Sequence, residues 1–191
     1  MRVVRPSSVE EYASWFLRRA ARGGDPDPIP DKPEEQVQAM WDRHRHKMRD
    51  WFSAGTRWHI VMLDAIRDLA DLVFLESPWT KSEGLVVPGG SNYRFLDRVA
   101  ANAIKERYLV RPSAHKHKAY YDSLAAGTCR LEGEDRIAIC SAEPTEMSQN
   151  PVARYYLLDG VGRCLPYMIL VTEQKLTYQP VEAFLAEREA A

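Results

Sequence analysis

The sequence predicts an α+β protein, a helical N-terminal half packed on a small mixed-sheet unit, and three observations predict it. Capping-box spacings and helical apolar periodicity fill the first two thirds of the chain. Short β-branched and aromatic runs bounded by turn residues fill the last third. The order in that third is strand, strand, helix, strand, which makes a sheet unit behind a helical front rather than a regular β-α alternation.

The first helix is signalled by PSSVEEYASWFLRRAARGG, residues 6–24. Ser8 and Glu11 have capping-box spacing, Val9, Tyr12, Phe16 and Ala20 share a face, and Gly23 stops the run. In GGDPDPIPDKP, residues 23–33, prolines alternate with aspartates, which forbids helix and gives an extended connector. Asp31 and Glu34 repeat the capping pattern and open a helix to about Phe52, with Val37, Trp41, His44, Met48 and Trp51 on one stripe. After SAGT, residues 57–77 read as a central helix. Trp58, Met62, Ile66, Leu69 and Val73 recur at helical spacing, and Arg57, Asp64, Arg67, Asp68 and Asp71 gather on the other side. Residues 85–110 give a short extended piece, a Pro-Gly-Gly turn and a helix capped by Ser91 that ends near Arg107. A short helix follows over about 120–126, stopped by Gly127. DRIAICS, VARYYLLDG and PVEAFLAER then read as strands, with a polar loop over 141–151 and a helix over 161–175. The division expected is an N-terminal helix over 1–24, a linker over 25–33, a helical region over 34–118 and the α+β unit over 119–191, the last two allowed to be continuous.

Composition excludes several function classes. The 191 residues are 45% hydrophobic and 28% charged with a net charge of −1, so no global field draws the chain to nucleic acid or membrane. No apolar run is long enough to span a bilayer, and MRVVRPSSVEEY lacks the apolar core of a secretory leader, so the expected location is cytoplasmic. Cys129, Cys140 and Cys164 are odd in number and form no CxxC pair, so reduced thiols and no zinc or redox cofactor are expected.

The stretch with most chemistry is YYLLDGVGR, residues 155–163. A helix starting just after Gly160 and Gly162 points free N–H groups and its positive dipole end at the turn, around Gly160, Val161 and Gly162, with no Cβ at the glycines to block approach. Arg163 adds a fork of donors suited to phosphate or carboxylate. Asp159 is placed to orient Arg163, to hold a metal bound to phosphates, or to accept a proton. The same pattern also suits a plain strand-to-helix turn with Asp159 capping its own backbone.

YYDSLAAG, then a strand, then YYLLDGVGRCLPYMIL, then PVEAFLAE together resemble the ParB/sulfiredoxin-like fold over roughly residues 119–188. Members run from a short helix and glycine through a strand, a second strand ending in Asp-Gly-x-His-Arg, a helix and a closing Pro-Val strand. Gly162 stands where that motif carries histidine, and Cys164 follows the arginine. The resemblance implies a phosphate or nucleotide site at the 159–163 turn, for a nucleotide or phosphorylated metabolite as partner. Catalysis there, by phosphoryl transfer or hydrolysis, would use Asp159, Glu143 or Glu146 as acid or base, Arg163 against transferring charge, and Mg2+ at Asp159.

Further candidates come from the residues themselves. His44 and His46 lie two apart on a predicted helix and point apart, so they cannot chelate one ion. His115 and His117 share a face if extended, and either is a candidate to bring to the Arg163 turn the imidazole that position 162 lacks. Arg94, Arg98, Lys105, Arg107, Arg111, Lys116 and Lys118 make the 94–118 segment basic. That supports an alternative reading as a noncatalytic nucleic-acid or protein-binding module. A small-metabolite enzyme with the helical half covering a pocket at the glycine turn is the third reading. PGGSN, residues 88–92, is a second glycine turn without a Walker lysine, read as a turn plus cap, and Trp41, Trp51 and Trp58 read as core.

Overall fold

Ser8 caps the first helix as its spacing predicts: its backbone is extended and its hydroxyl accepts from the Glu11 amide at 3.2 Å, so α1 runs Val9–Arg22. The computed structural model describes residues 1–24, 27–43, 55–74, 78–87, 89, 94–141 and 154–188. Ahead of α1 lies a strand that periodicity does not reveal, β1 (Arg2–Ser7), whose side chains are almost all exposed. Strand and helix are clamped where the Arg5 guanidinium meets Glu11 and the Ser7 hydroxyl donates to Glu11 at 2.7 Å.

The second expected helix is α2 (Pro33–Arg43), with Met40 buried. The stripe residues His44, Met48 and Trp51, and His46 beside them, lie outside the described residues. The single helix expected over 57–77 is corrected. Thr56–Leu63 form a strand, β2, followed only by a five-residue helix, α3 (Ile66–Ala70). The reason is two-sided burial. Trp58 and Ile60 pack on one face of the sheet while Val61 and Leu63 pack on the other, so the run shows no alternation and mimics a helix apolar over most of its circumference. Trp58 of β2 is buried in the core and Trp41 of α2 is partly buried against it, as read; Trp51 lies outside the described residues.

A short helix, α4 (Pro78–Ser82), and then α5 (Leu96–Lys105) follow; α5 is capped at Phe95, and the expected cap Ser91 lies outside the described residues. Arg107, with φ 51° and ψ 40°, turns the chain into two 3-10 turns, Tyr108–Val110 and Pro112–Ala114. These lead straight into α6 (His115–Ala125), which starts five residues before the expected helix. The strand, strand, helix, strand order is found as read: β3 (Ile137–Cys140), β4 (Tyr156–Asp159), α7 (Val161–Thr172) and β5 (Val181–Arg188).

The five strands form one sheet in the order β1-β2-β5-β3-β4. β5 pairs antiparallel with β2 and parallel with β3, and the other neighbours are antiparallel. Strands from residues 2–7 and 56–63 thus join those from 137–188, so the 118/119 division runs across a hydrogen-bonded sheet. One face carries Tyr12, Ala13 and Trp15 of α1 and Met40 of α2 against Trp58, Phe184 and Ala186. The other carries α5, α6 and α7 against Val61, Ile139, Leu157 and Leu185. Within α7 every residue from Arg163 to Leu170 is buried, so α7 is the central helix. Among the described residues no helix is long and apolar enough to cross a membrane.

The β1–α1 clamp gives a pH prediction. The hydrogen bond from Arg5 is the main influence holding the Glu11 carboxyl down from 4.5 to about 2. A depressed carboxyl stabilises the fold fully above the unfolded value, near pH 4.5, and that contribution is lost as pH falls through about 2. For so exposed a pair it amounts to about 1 kcal/mol or less. Denaturant melts between pH 6 and pH 2 should therefore fall more steeply for wild type than for Glu11→Gln; parallel curves would remove the clamp as a contributor.

Candidate functional site

Asp159 ends β4, paired across the ladder with Ala138, and Gly160 turns the chain into α7. Gly160 has φ 106°, a region L side chains rarely adopt, and a Cβ there would lie 2.7 Å from Ile137 Cγ2. Glycine is required at this position because the core strand β3 presses on the turn from behind. No side chain caps the first turn of α7. Pro166 sits inside α7 and has no N–H for the Gly162 carbonyl four residues back, which loosens that same end of the helix.

Arg163 is not presented to solvent as its place in the motif suggests. Its side chain is 1% exposed, and Nη2 donates to Asp159 Oδ2 at 3.0 Å. From the other face of the sheet α1 adds a second guanidinium: Arg19 Nη1 lies 3.6 Å from the same Asp159 oxygen. Both guanidinium carbons stand beside the Trp15 ring, at 5.6 and 5.7 Å from its centroid, an arrangement that favours cations. Trp15 is held in turn by its indole N–H, which donates to the Glu134 carbonyl at 3.1 Å. Burial lowers the Arg163 pKa, with Asp159 opposing that effect and Arg19 reinforcing it. Arg19 and Asp159 reach the surface, their side chains 25% and 27% exposed.

The donor count at this cluster is unbalanced. Nε and Nη1 of Arg163, and Nε and Nη1 of Arg19, are buried with no hydrogen-bond partner among the described residues. Two guanidiniums share one carboxylate. A buried donor left unsatisfied costs about 1–3 kcal/mol, and of these four only Arg19 Nη1 stands within ion-pair distance of the Asp159 carboxylate. A fold that retains such donors satisfies them with solvent or with an anion.

The remaining candidates divide clearly. His115 and His117 stand on α6 rather than on an extended segment, and so point apart: His115 is exposed and His117 buried. The His117 ring lies over Gly162, where a Cβ would meet Cδ2 and Nε2 at 3.6 Å. Its Nδ1 is 2.6 Å from the Tyr108 hydroxyl, and burial lowers its pKa below the usual imidazole value. One histidine of the pair thus does reach the turn. Glu143 and Glu146 lie outside the described residues, as do most of PGGSN. Among the described residues the ion-pair partners of the Asp159 carboxylate are two guanidiniums, and no group of three metal-ligating side chains exists. Trp15 and Arg19 of α1 and His117 of α6 close in on the glycine turn.

The basic 94–118 segment is not a continuous free face. Arg94 is buried with Nε donating to the Phe74 carbonyl, Arg111 is paired with Glu83 and Glu106, and Lys118 is paired with Asp122. Sequence reasoning missed Arg19 altogether. Its only signal was position: it stands one helical turn beyond Trp15 on a helix taken to dock by another stripe.

Fold and site together define an α+β protein whose mixed sheet is covered by helices on both faces, with a buried two-arginine, one-carboxylate cluster where β4 meets α7. Comparisons with protein-family models, with curated proteins and with solved structures find no match for the chain.

The two glycines of the turn should behave oppositely. Gly160→Ala meets both a left-handed backbone and the Ile137 side chain, and should cost about 3 kcal/mol in a denaturant melt. Gly162→Ala meets only ordinary contact with His117 and adds a better helix former, so stability should hold or rise by about 0.5 kcal/mol. Equal losses in both variants would contradict the account of the turn.

Proposed function

We propose that the chain binds a phosphate-bearing ligand, a nucleotide or a phosphorylated metabolite, at the β4–α7 turn. Arg19 is the cation that meets the ligand, and Arg163 is the fixed positive charge behind it. The observation that carries this reading is the charge imbalance: two guanidiniums with four unsatisfied buried nitrogens around one carboxylate, beside an uncapped helix start. A phosphate group supplies several acceptors and the missing negative charge, and the N-terminal end of α7 favours it further. The resemblance of residues 119–188 to the ParB/sulfiredoxin-like fold points to the same turn.

The roles differ from those of an exposed arginine fork. Asp159 holds both guanidiniums in place through one oxygen, Oδ2. His117, beside Gly162, packs the turn from the α6 side. Binding is the role that the paired charges at the turn support.

Calorimetric titration of the full chain with ADP and with pyrophosphate tests the reading. Saturable binding is expected, weakened about tenfold or more in Arg19→Ala and less in Arg19→Lys, since a hydrogen bond to a charged group is worth about 1.5–3 kcal/mol. Arg19→Ala leaves the Arg163–Asp159 pair in place, so loss of binding in a variant that melts like wild type is informative. Absence of saturable heat with either compound, or equal affinity in Arg19→Ala, would mean that solvent alone satisfies the cluster.

A further inference from the structure

The other end of α7 carries a second feature, independent of the turn. A cavity of about 340 Å³ opens between α5, the Tyr108–Val110 turn, α6 and the end of α7. Its floor is apolar, built from Ala103 and Ile104 of α5, Leu109 and Val110 of the turn, and Ile169 of α7. The charged groups in the lining are Arg107, Lys118, Lys175 and Glu173.

The pairings within the chain decide which charge is left over. Glu173 accepts from the Tyr121 hydroxyl and lies 2.9 Å from Lys175 Nζ, and that amine also donates to the Tyr121 hydroxyl at 2.9 Å. Lys118 is paired with Asp122 and, like Lys175, lies over the Tyr121 ring. Arg107 has no ion pair among the described residues and is exposed at the rim. Its backbone is left-handed, a conformation costing about 1–2 kcal/mol for a residue with a Cβ, where glycine or asparagine would sit with less strain. The chain thus keeps an arginine where its backbone favours another residue.

We infer that this cleft binds a small amphipathic monoanion, a carboxylate carried on a short apolar body, with Arg107 meeting the carboxylate and the α5–α7 floor burying the body. One uncompensated cation matches one negative charge. The volume lies at the low end of small-molecule sites, which span about 300–1,000 Å³, and suits a body of about ten non-hydrogen atoms. Arg107 offers the bidentate geometry a carboxylate accepts.

Titration of the full chain with octanoate, octanol and octylammonium, followed by amide chemical shifts, tests the inference. Octanoate should shift the amides of Ile104, Leu109 and Tyr121 saturably. Octanol should bind about tenfold more weakly, and octylammonium should leave those amides unmoved. Arg107→Gly is the matching variant: it removes the cation and relieves the backbone, so it should fold as wild type does while losing octanoate affinity about tenfold. Equal affinity for octanoate and octanol, undiminished binding in Arg107→Gly, or no saturable shift with octanoate would overturn the assignment. None of these outcomes depends on Arg19, so they stand apart from the test of the β4–α7 turn.

Discussion

The burial of the Arg163 guanidinium constrains much of what surrounds it. Taking an arginine out of water costs several kcal/mol unless a carboxylate and further acceptors replace its hydration. Asp159 supplies the carboxylate from the end of β4, four residues back, and Gly160 makes the turn that brings the two together. Trp15 supplies an aromatic face from α1 on the far side of the sheet, and its own indole N–H is tied to the chain ahead of β3. The cluster therefore joins the α1 layer to the α7 layer around the edge where β4 ends. Arg19 adds charge to a place that already has enough, which is difficult to explain on stability grounds alone.

The two-layered helical cover has a second consequence. α7 lies between the sheet and α5 and α6 and is buried from Arg163 to Leu170, so only its two ends can meet a ligand. The N-terminal end is polar, crowded and rich in guanidinium. The C-terminal end opens on an apolar floor with one uncompensated arginine at its rim. A single buried helix thus separates the two proposed anion sites, one for a group with many acceptors and the other for a lone carboxylate.

Much of the architecture was legible because local signals and tertiary demands agree. Ser8 caps α1 in sequence and in space through the Glu11 amide, while the Glu11 carboxylate turns to Arg5 and Ser7, and the last third keeps its strand, strand, helix, strand order. Residues 56–63 were illegible for a definite reason. A central strand covered on both faces loses the two-residue alternation by which strands are recognised, and Asp64, Arg67, Asp68 and Asp71 beyond it complete a false helical pattern. β1 was missed for the opposite reason. It is an exposed edge strand that buries almost nothing, so no apolar pattern marks it.

By itself the sequence determined the α+β class, the Ser8 cap, the glycine turn at Gly160 and the identity of Asp159 and Arg163 as a close pair, because each depends on residues within a few positions of one another. Only the tertiary structure decided that Arg163 faces inward, that Arg19 joins it from 144 positions away in sequence on the far side of the sheet, and that His117 rather than His115 packs on Gly162. Those outcomes depend on which faces of α1, α6 and the sheet are pressed together. Burial and charge pairing between distant segments fix that choice, and neither has a local signature.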